Sequence, residues 1–326
     1  MINVASPMWH LVVLPFTYLR PGVAFVLWML CNVTAWAFSL RLCLREWRLT
    51  INPHSYAVIA LAIVASTLTA GAFHTGQYVG LLMVPATLAW RAAKRGEWAA
   101  SGAWLGFLTS HKPFVFLFIV WLIWQRRWRG ALVSCVVLIV SVACGELVFG
   151  LGIYQQWQQA LRDGVPAWGW LYVNASAWAP WARAFGPSPV FTYAANPTVA
   201  VACALASATA IAGVTAWRLR RVVDVDLAWS VLWSAALLIS PLGWTYYLWW
   251  GAGPFGALIL HAWQHRPELR RHIIAVGACF ILPLGTLLLG QPSVVASFTV
   301  GSIFTWALLA IWIGAVSDER LSNAVA

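Results

Sequence analysis

Long apolar stretches alternate with short polar or basic segments along almost the whole chain. The apolar stretches cover residues 8–18, 22–41, 55–73, 76–90, 98–111, 113–124, 131–150, 196–217, 226–240, 245–263, 272–290 and 296–315. A helix needs about 20 apolar residues to cross a bilayer, and several of these stretches are shorter. The pattern therefore predicts an all-α, polytopic integral membrane protein, a bundle of roughly ten transmembrane or re-entrant helices.

Composition places the chain among membrane proteins. Of its 326 residues, 62% are hydrophobic and 9% are charged, and the mean hydropathy is +0.77. Soluble domains carry about 25% charged residues, and a soluble chain this apolar would have too little polar surface to cover its core. We therefore treat residues 1–326 as a single transmembrane domain. The six cysteines lack metal-binding or redox spacing, so we expect no metal and no cofactor.

The basic residues predict which loops face the cytoplasm. Sixteen of the 20 Lys and Arg lie at Arg41/Arg45/Arg48, Arg91/Lys94/Arg95, Arg126/Arg127/Arg129, Arg218/Arg220/Arg221, Arg266/Arg270/Arg271 and Arg320. Because basic residues collect in cytoplasmic loops, we expect all of these clusters on that side. This distribution accounts for the net charge of +11 without a nucleic-acid partner, since no basic patch is interleaved with exposed aromatic residues.

The stretch "GAWLGFLTSHKPFVFLFIVWLIW" (102–124) tests this placement. If residues 98–124 crossed the membrane once, the basic clusters on either side would face opposite compartments. Two short helices that meet at His111-Lys112-Pro113 keep both clusters in the cytoplasm, and proline disfavours helix in the residue before it. Each arm would be roughly 20 Å long, against a hydrocarbon core of about 30 Å. We therefore predict a re-entrant hairpin whose turn lies below the outer surface, inside the bundle or a water-filled cavity.

The same reasoning places four turns on the outer, periplasmic face. They are residues 18–21, 74–77, 151–195 and 240–244. The long segment 151–195 has a polar part, "YQQWQQALRDG", and an aromatic part, "PAWGWLYVNASAWAPWARAFG". Polar and aromatic residues thus gather on the face opposite the basic clusters.

Lys112 is the first candidate for a functional residue. An ionisable residue inside a membrane protein usually faces the interior and marks a substrate pathway, and an ammonium group suits a phosphate. The alternative is a side chain that reaches past its own helix end to the outer interface. His111 beside it is a candidate base, a second phosphate donor or a structural histidine.

Each of the other polar or aromatic candidates on the outer face has two interpretations. Gln77 either satisfies amides at a helix start or hydrogen-bonds a polyhydroxylated substrate. Asn174 is a turn residue or a substrate ligand. Trp244 belongs to an interfacial aromatic belt or stacks on a sugar ring. Glu146 and Asp163 are the acids that this topology leaves outside, so they join the histidine of the hairpin turn as candidates for a general base.

Four further motifs stand out along the chain: "PMWHLVVLPFTYL", "GQYVGLLMVPATLAWRAAKRGEWAASGAWLGFLTSHKP", "NASAWAPWARAFG" and "SPLGWTYYLWW". Together they resemble a known family, the polyprenyl-phosphate-sugar-dependent glycosyltransferases of family 87, in the GT-C class. The resemblance covers about residues 6–260. Its most specific part is an ordered series: a Gly-Gln turn, a helix, a basic loop, a glycine-containing helix and a Lys-Pro pair.

The resemblance implies a GT-C-like hexosyltransferase, a multi-pass protein of a bacterial inner membrane. It would transfer mannose or a related sugar from a polyprenyl-phosphate donor to a lipid or glycan acceptor on the periplasmic face. Lys112 and Arg183 would contact the donor phosphate. The other expected substrate contacts are His74, Gln77, Asn174, Trp244, Tyr246 and Tyr247.

The catalytic base implied by the family is an aspartate in the first outer loop. "PMWHLVVLPFTYL" resembles the segment after that loop, and no acid precedes it. Tyr246 and Tyr247 stand where the family's Ser-Pro-x-x-Trp turn carries a histidine. Three explanations stay open: a start site assigned too late, with a helix and acidic loop upstream; an inactive homologue; or substitution by Asp163, Glu146 or His111. We expect the first, because the other outer motifs are intact.

A transporter or flippase for a lipid-linked or anionic substrate is the alternative function. Broken helices around a buried cation occur in transporters too. The chain has no internal repeat, however, and its Trp-rich outer segment suits a catalytic cap better than a gate. A purely structural subunit would explain the missing acid but not the outer motifs.

Overall fold

The computed structural model describes residues 5–49, 52, 54, 63, 66–74, 76–186, 196–220, 224–281 and 293–318. The all-α prediction is confirmed for these residues, whose strand-like pairing is limited to one isolated bridge between Asn174 and Trp244. Most of the predicted stretch 55–73 and residues 187–195 of the predicted outer segment lie outside the described residues.

The described residues contain fourteen α-helices of seven residues or more. They are α1 (Pro7–Val13), α2 (Pro21–Glu46), α3 (Thr67–His74), α4 (Val79–Lys94), α5 (Trp98–His111), α6 (Phe116–Trp124), α7 (Trp128–Phe149), α8 (Ile153–Trp168), α9 (Ala179–Phe185), α10 (Pro197–Leu219), α11 (Val225–Ile239), α12 (Ala252–His265), α13 (Arg270–Ile281) and α14 (Ile303–Val316). Shorter helical turns cover Leu14–Tyr18, Pro113–Val115, Thr245–Gly251, Pro267–Leu269, Val294–Phe298 and Val300–Ser302.

The predicted count of roughly ten helices is not confirmed, because the described residues contain fourteen. Twelve of these correspond to the predicted apolar stretches, and α8 and α9 lie in the predicted outer segment 151–195. Several of the stretches also contain a 3-10 turn. The stretch 245–263 becomes a 3-10 turn, Thr245–Gly251, followed by α12. The stretch 8–18 likewise becomes α1 followed by the 3-10 turn Leu14–Tyr18, with Pro15 at its second position. Proline lacks an amide hydrogen and therefore ends or interrupts a helix.

Four helical runs are long and apolar enough to cross a membrane. They are Pro21–Glu46, Trp128–Phe149, Pro197–Leu219 and Val295–Val316. In the first three, only 17–22% of the most apolar window is buried within the protein. Their remaining apolar surface needs an apolar surrounding, as a lipid bilayer provides, and helices satisfy their own backbone hydrogen bonds there. The chain is therefore a multi-pass membrane protein.

The chain divides into two compact units, and the first comprises Met1–Leu42 and Tyr78–Gly164. The two short helices predicted to meet at His111-Lys112-Pro113 are confirmed in this unit. Lys112 leaves α5 in an extended conformation (φ −140°, ψ 102°), and Pro113–Val115 forms a 3-10 turn before α6. The Trp98 and Trp121 rings, from the far ends of the two arms, lie 6.2 Å apart between centroids, so the arms run side by side.

The packing of α5 on α7 depends on small residues. Added to Gly102, a Cβ atom would lie 2.1 Å from the Gly130 carbonyl oxygen, and at Gly106 it would lie 2.4 Å from that of Ser134. The Ser134 hydroxyl also donates to the Gly102 carbonyl oxygen at 2.8 Å. Small residues four apart on both helices thus bring the two backbones into contact, a common arrangement in membranes.

The second unit comprises Cys43–Gln77 and Val165–Ala326. Its core is α11, which contacts α10, α12 and α14 and buries nearly all of its side chains. Trp229 and Trp233 on this helix have no exposed surface, and Trp250 is 1% exposed. Part of the high tryptophan content therefore lies in the core of this unit.

Candidate functional site

Lys112 lies on an aromatic platform in the first unit. Its Nζ is 5.3 Å from the centroid of the Tyr78 ring, and Tyr78 stacks on Trp9 with centroids 3.6 Å apart. Trp9 also meets the His111 ring edge-on at 5.6 Å. We call Trp9, Tyr78, His111 and Lys112 the Lys112 cluster. Lys112 is half-exposed whereas the other three are buried, so the cation marks the accessible edge of the cluster.

His111 in this cluster offers a hydrogen-bond acceptor. Its Nδ1 lies 2.8 Å from the Phe107 carbonyl oxygen. Because a carbonyl oxygen only accepts, Nδ1 carries the hydrogen, and Nε2 of the neutral ring keeps its lone pair. Nε2 is buried and has no hydrogen-bond partner among the described residues, and the Tyr78 hydroxyl is in the same situation. Buried polar atoms without a hydrogen-bond partner are rare in proteins, and such an atom often binds a ligand or a water molecule or takes part in catalysis.

The two carboxylate candidates, Glu146 and Asp163, differ in environment. Glu146 is half-buried, and its Oε2 accepts the Gly152 amide hydrogen at 2.7 Å. This bond closes the turn after α7, where Gly150 and Gly152 have φ values of 97° and 89°. Asp163 is exposed on α8 and accepts a hydrogen bond from Gln159 at 3.1 Å. Glu146 and His111 are therefore the more enclosed of the three predicted bases.

Asn174 in the second unit joins two loops through a fully used side-chain amide. Its Nδ2 donates to the carbonyl oxygens of Gly169 and Pro241, both at 2.9 Å. Its Oδ1 accepts from the amides of Ser176 at 3.1 Å and Gly243 at 3.0 Å. These bonds occupy both donors and both lone pairs of the amide. The geometry therefore favours a role for Asn174 in fixing the turn 240–244, which we call the Trp244 turn. The predicted contact of Asn174 with substrate stays a prediction.

Arg183 is 2% exposed and donates four hydrogen bonds to the same region. Nε donates to the Trp170 carbonyl oxygen at 2.9 Å, and Nη2 donates to those of Leu171 at 2.7 Å and Asn174 at 2.9 Å. Nη1 donates to the Ser302 hydroxyl at 2.8 Å. A guanidinium group has five N–H donors, so one remains for a ligand. The predicted phosphate contact is thus limited to a single hydrogen bond and stays a prediction.

The predicted aromatic contacts form one buried stack. Trp244, Tyr246 and Tyr247 are 7%, 4% and 2% exposed. The Trp244 and Tyr246 rings stack with centroids 6.2 Å apart, and Tyr247 meets Tyr246 edge-on at 4.9 Å. The structure brings these residues together with Asn174 and Arg183 in the second unit. Protein covers these side chains in the described structure. Their predicted contacts with substrate stay predictions.

Gln77 follows a helix end that is capped by the backbone. The Gln77 amide donates to the Ala72 carbonyl oxygen at 2.9 Å, and the Gly76 amide donates to that of Phe73 at 3.1 Å. Gly76 has a φ of 62°, as this type of cap requires. The Gln77 side chain is half-exposed and makes no hydrogen bond to a described residue, so it is available to a ligand. The side chain of His74, at the end of α3, lies outside the described part of the structure.

The sequence analysis missed two residues of the Lys112 cluster and one partner of Arg183. Trp9 and Tyr78 lie within quoted motifs, but aromatic residues are too frequent in this chain for the pattern to single them out. Ser302 lies 119 residues from Arg183, and a serine in an apolar stretch carries no signal for such a partner. The contact between Ser302 and Arg183 is visible only in the folded chain.

The cation and unpartnered acceptor of the Lys112 cluster suit an anionic, hydroxyl-bearing ligand, and the described residues contain no group of three His, Cys, Asp or Glu that could hold a metal ion. A family model described as glycosyltransferase family 87 matches residues 5–241. The resemblance proposed from the four motifs is therefore confirmed. No curated protein and no solved structure matches the chain.

Proposed function

This chain belongs to glycosyltransferase family 87, and from that premise we propose that it transfers a sugar from a lipid-linked donor. The family supports a membrane glycosyltransferase in general. We propose further that the donor is a polyprenyl-phosphate sugar, with mannose or a related hexose, and that the acceptor is a lipid or glycan on the periplasmic face of a bacterial inner membrane. The observation that carries this proposal is Lys112 at the turn of the hairpin, above buried aromatic rings.

The proposed reaction is an inverting displacement at the anomeric carbon of the sugar. The bond from that carbon to the donor phosphate oxygen breaks, and polyprenyl phosphate leaves with the electron pair. The bond to the acceptor oxygen forms from the opposite face, and a base takes the hydroxyl proton. A cation fixed in place before the reaction stabilises the charge that develops on the leaving phosphate. In our proposal Lys112 supplies that cation.

The other predicted residues take two roles in this proposal. Gln77, whose side-chain amide has no partner among the described residues, hydrogen-bonds the sugar. Asn174 and Arg183 act through the loops that they hold together, so they are positioning residues for the Trp244 turn. Glu146 and His111 are favoured over Asp163 as the base, because they are the more enclosed and each keeps an acceptor atom unoccupied by described residues.

A comparison of the two lysines of the chain tests the proposal. Lys112 lies over Tyr78 and Lys94 lies over Trp90, with Nζ 5.3 and 5.0 Å from the ring centroids. Lys112→Ala should lower transfer of radiolabelled mannose from polyprenyl-phosphate-mannose by about 100-fold or more, as expected when one charge-stabilising donor is lost. Lys94→Ala should retain transfer, since it lies in the predicted cytoplasmic loop.

Both variants would be purified in detergent and compared in thermal unfolding, so that loss of fold is separated from loss of activity. A nucleotide-linked mannose serves as the control donor and should support no transfer. Equal activity of the two lysine variants, with both folded, would contradict the proposed role of Lys112. Transfer from the nucleotide sugar alone would contradict the proposed donor class.

A further inference from the structure

An open cavity of about 710 Å³ lies at the base of the hairpin, at the end opposite Lys112. One wall is the segment 96–100, where α5 begins, and the other is the segment 126–129, which connects α6 to α7. All of these residues belong to the first unit. This end of the hairpin carries the basic clusters that the positive-inside rule places in the cytoplasm. The cavity is therefore separate from the Lys112 cluster.

Three arginines line this cavity with unused hydrogen-bond donors. The guanidinium groups of Arg126, Arg127 and Arg129 make no hydrogen bond or ion pair to any residue that the structure describes. Glu97 lines the same cavity, yet its carboxylate pairs with none of them. Arg127 is held in place by Trp98, with its Cζ 4.5 Å from the ring centroid. Guanidinium groups present a planar set of donors that matches phosphate oxygens.

Two helix starts add to the positive potential of the cavity. Helix α5 begins at Trp98 and α7 at Trp128, and neither Glu97 nor Arg127 caps its helix through a side chain. Ala99 and Ala100, in the first turn of α5, line the cavity, and their amides donate to no described residue. Amides at a helix start favour anions through their free hydrogens and the helix dipole. The arginines and the two helix starts thus both favour an anionic ligand.

We propose that this cavity binds the phosphate group of an anionic phospholipid of the cytoplasmic leaflet. Phosphate is the shared chemistry of a lipid headgroup and a free phosphate ion, and the lipid is favoured by the surroundings. Trp98 and Trp128 flank the arginines, and tryptophan is typical of the membrane–water interface. Basic pockets between membrane helices on the cytoplasmic side bind such headgroups. The proposal concerns binding only and does not depend on the sugar transfer proposed above.

The test measures lipid binding to the whole purified chain by native mass spectrometry. Phosphatidylglycerol is the anionic probe, and phosphatidylcholine is the zwitterionic one. The double variant Arg126→Ala, Arg129→Ala should bind phosphatidylglycerol about ten-fold more weakly than the unmodified chain, a difference of ~1.4 kcal/mol. The matched control, Arg270→Ala with Arg271→Ala, removes the same charge from two exposed arginines of another predicted cytoplasmic loop and should bind normally.

The remaining measurements separate the explanations. The variant Arg126→Lys, Arg129→Lys keeps both charges and should recover part of the binding, and all variants should unfold at similar temperatures. Displacement of the lipid by excess inorganic phosphate would keep the phosphate site but make the free ion its ligand. Equal losses in the two double alanine variants would overturn the proposal, because binding would then follow the overall charge and not the cavity.

Discussion

Arg183 carries a buried positive charge that the described structure balances with three carbonyl oxygens and a hydroxyl group. Burial lowers the pKa of Arg183 to about 9, because removal from water disfavours the charged form. That pKa still leaves the guanidinium group protonated at neutral pH. Its four hydrogen bonds hold the loop 170–174 against α9 and Ser302. Arg183 therefore contributes, together with Asn174, to the shape of this loop.

Substitution of Arg183 should destabilise the protein even without a substrate. Arg183→Met removes these four hydrogen bonds, each worth about 1.5–3 kcal/mol because the donor is charged, so the unfolding temperature should fall by several degrees. Arg183→Lys keeps the charge but lacks the planar arrangement of donors, and it should recover only part of the loss. Thermal unfolding followed by tryptophan fluorescence measures both effects.

The control for this prediction is Arg162→Met. Arg162 is exposed on α8, in the same predicted outer segment, and its loss should leave the unfolding temperature nearly unchanged. If Arg183→Met unfolds at the same temperature as the Arg162 variant, the four hydrogen bonds do not contribute to stability. A defect that appears only in transfer assays would instead favour the phosphate contact predicted from the sequence.

The contact between α5 and α7 allows no side chain larger than hydrogen at Gly102 or Gly106. Two helices that approach this closely gain van der Waals contact along their backbones. In a membrane this contact matters more than the hydrophobic effect, because lipid tails are as apolar as the helix side chains. The same contact fixes the hairpin, since α5 is its first arm. The position of the Lys112 turn therefore depends on glycines in the middle of α5.

Gly106→Ala should destabilise the first unit. The new Cβ would lie 2.4 Å from the Ser134 carbonyl oxygen, and overpacking of this kind typically costs about 1–3 kcal/mol. Alanine favours helix by up to ~1 kcal/mol over glycine, so the net loss is smaller than the clash alone. Chemical or thermal unfolding in detergent, compared with the unmodified chain, gives the difference.

Gly213→Ala on α10 is the matched control, because a Cβ atom there meets no atom within 4 Å. It gains the same helix propensity without a clash and should unfold at an equal or higher temperature. The prediction is refuted if Gly106→Ala is as stable as Gly213→Ala.

For the whole molecule, the hairpin determines which compartment each loop faces. Because its two arms run side by side, the basic residues before α5 and after α6 belong to one side of the membrane. A single crossing would have reversed every later loop. The assignment of segment 151–186 to the outer side therefore depends on one turn at Lys112-Pro113.

Cysteine labelling tests this arrangement. In a background without the native cysteines, Gln159→Cys should react with a membrane-impermeant maleimide added to intact cells, since residue 159 is exposed on α8. Ala99→Cys, exposed at the start of α5, should react only after the membrane is permeabilised. Labelling of both sites from the same side would contradict the predicted topology.

The sequence predicted local features well and distant pairings poorly. The all-α class follows from apolar stretches, and the break at Lys112 follows from the effect of Pro113 on the residue before it. The Lys112 cluster could not be predicted from the sequence, because its residues Trp9 and Tyr78 are 69 positions apart in the chain. The Asn174 bonds to Pro241, 67 residues away, are likewise invisible to any local rule. The helix count was underestimated in part because α8 and α9 lie in segment 151–195, which is not an apolar stretch.

The bond from Arg183 to Ser302 has a consequence for how this protein can vary between species. Ser302 and Thr305, which donates to the Ser176 carbonyl oxygen, lie beyond the part of the chain that the family model matches. Substitutions in the C-terminal segment around Ser302 and Thr305 therefore affect the loop 170–176 that these residues contact. Among homologues we expect positions 183 and 302 to co-vary, and a chimera joined after residue 241 should be less stable than its parents unless the C-terminal parent also has a hydrogen-bond acceptor at position 302.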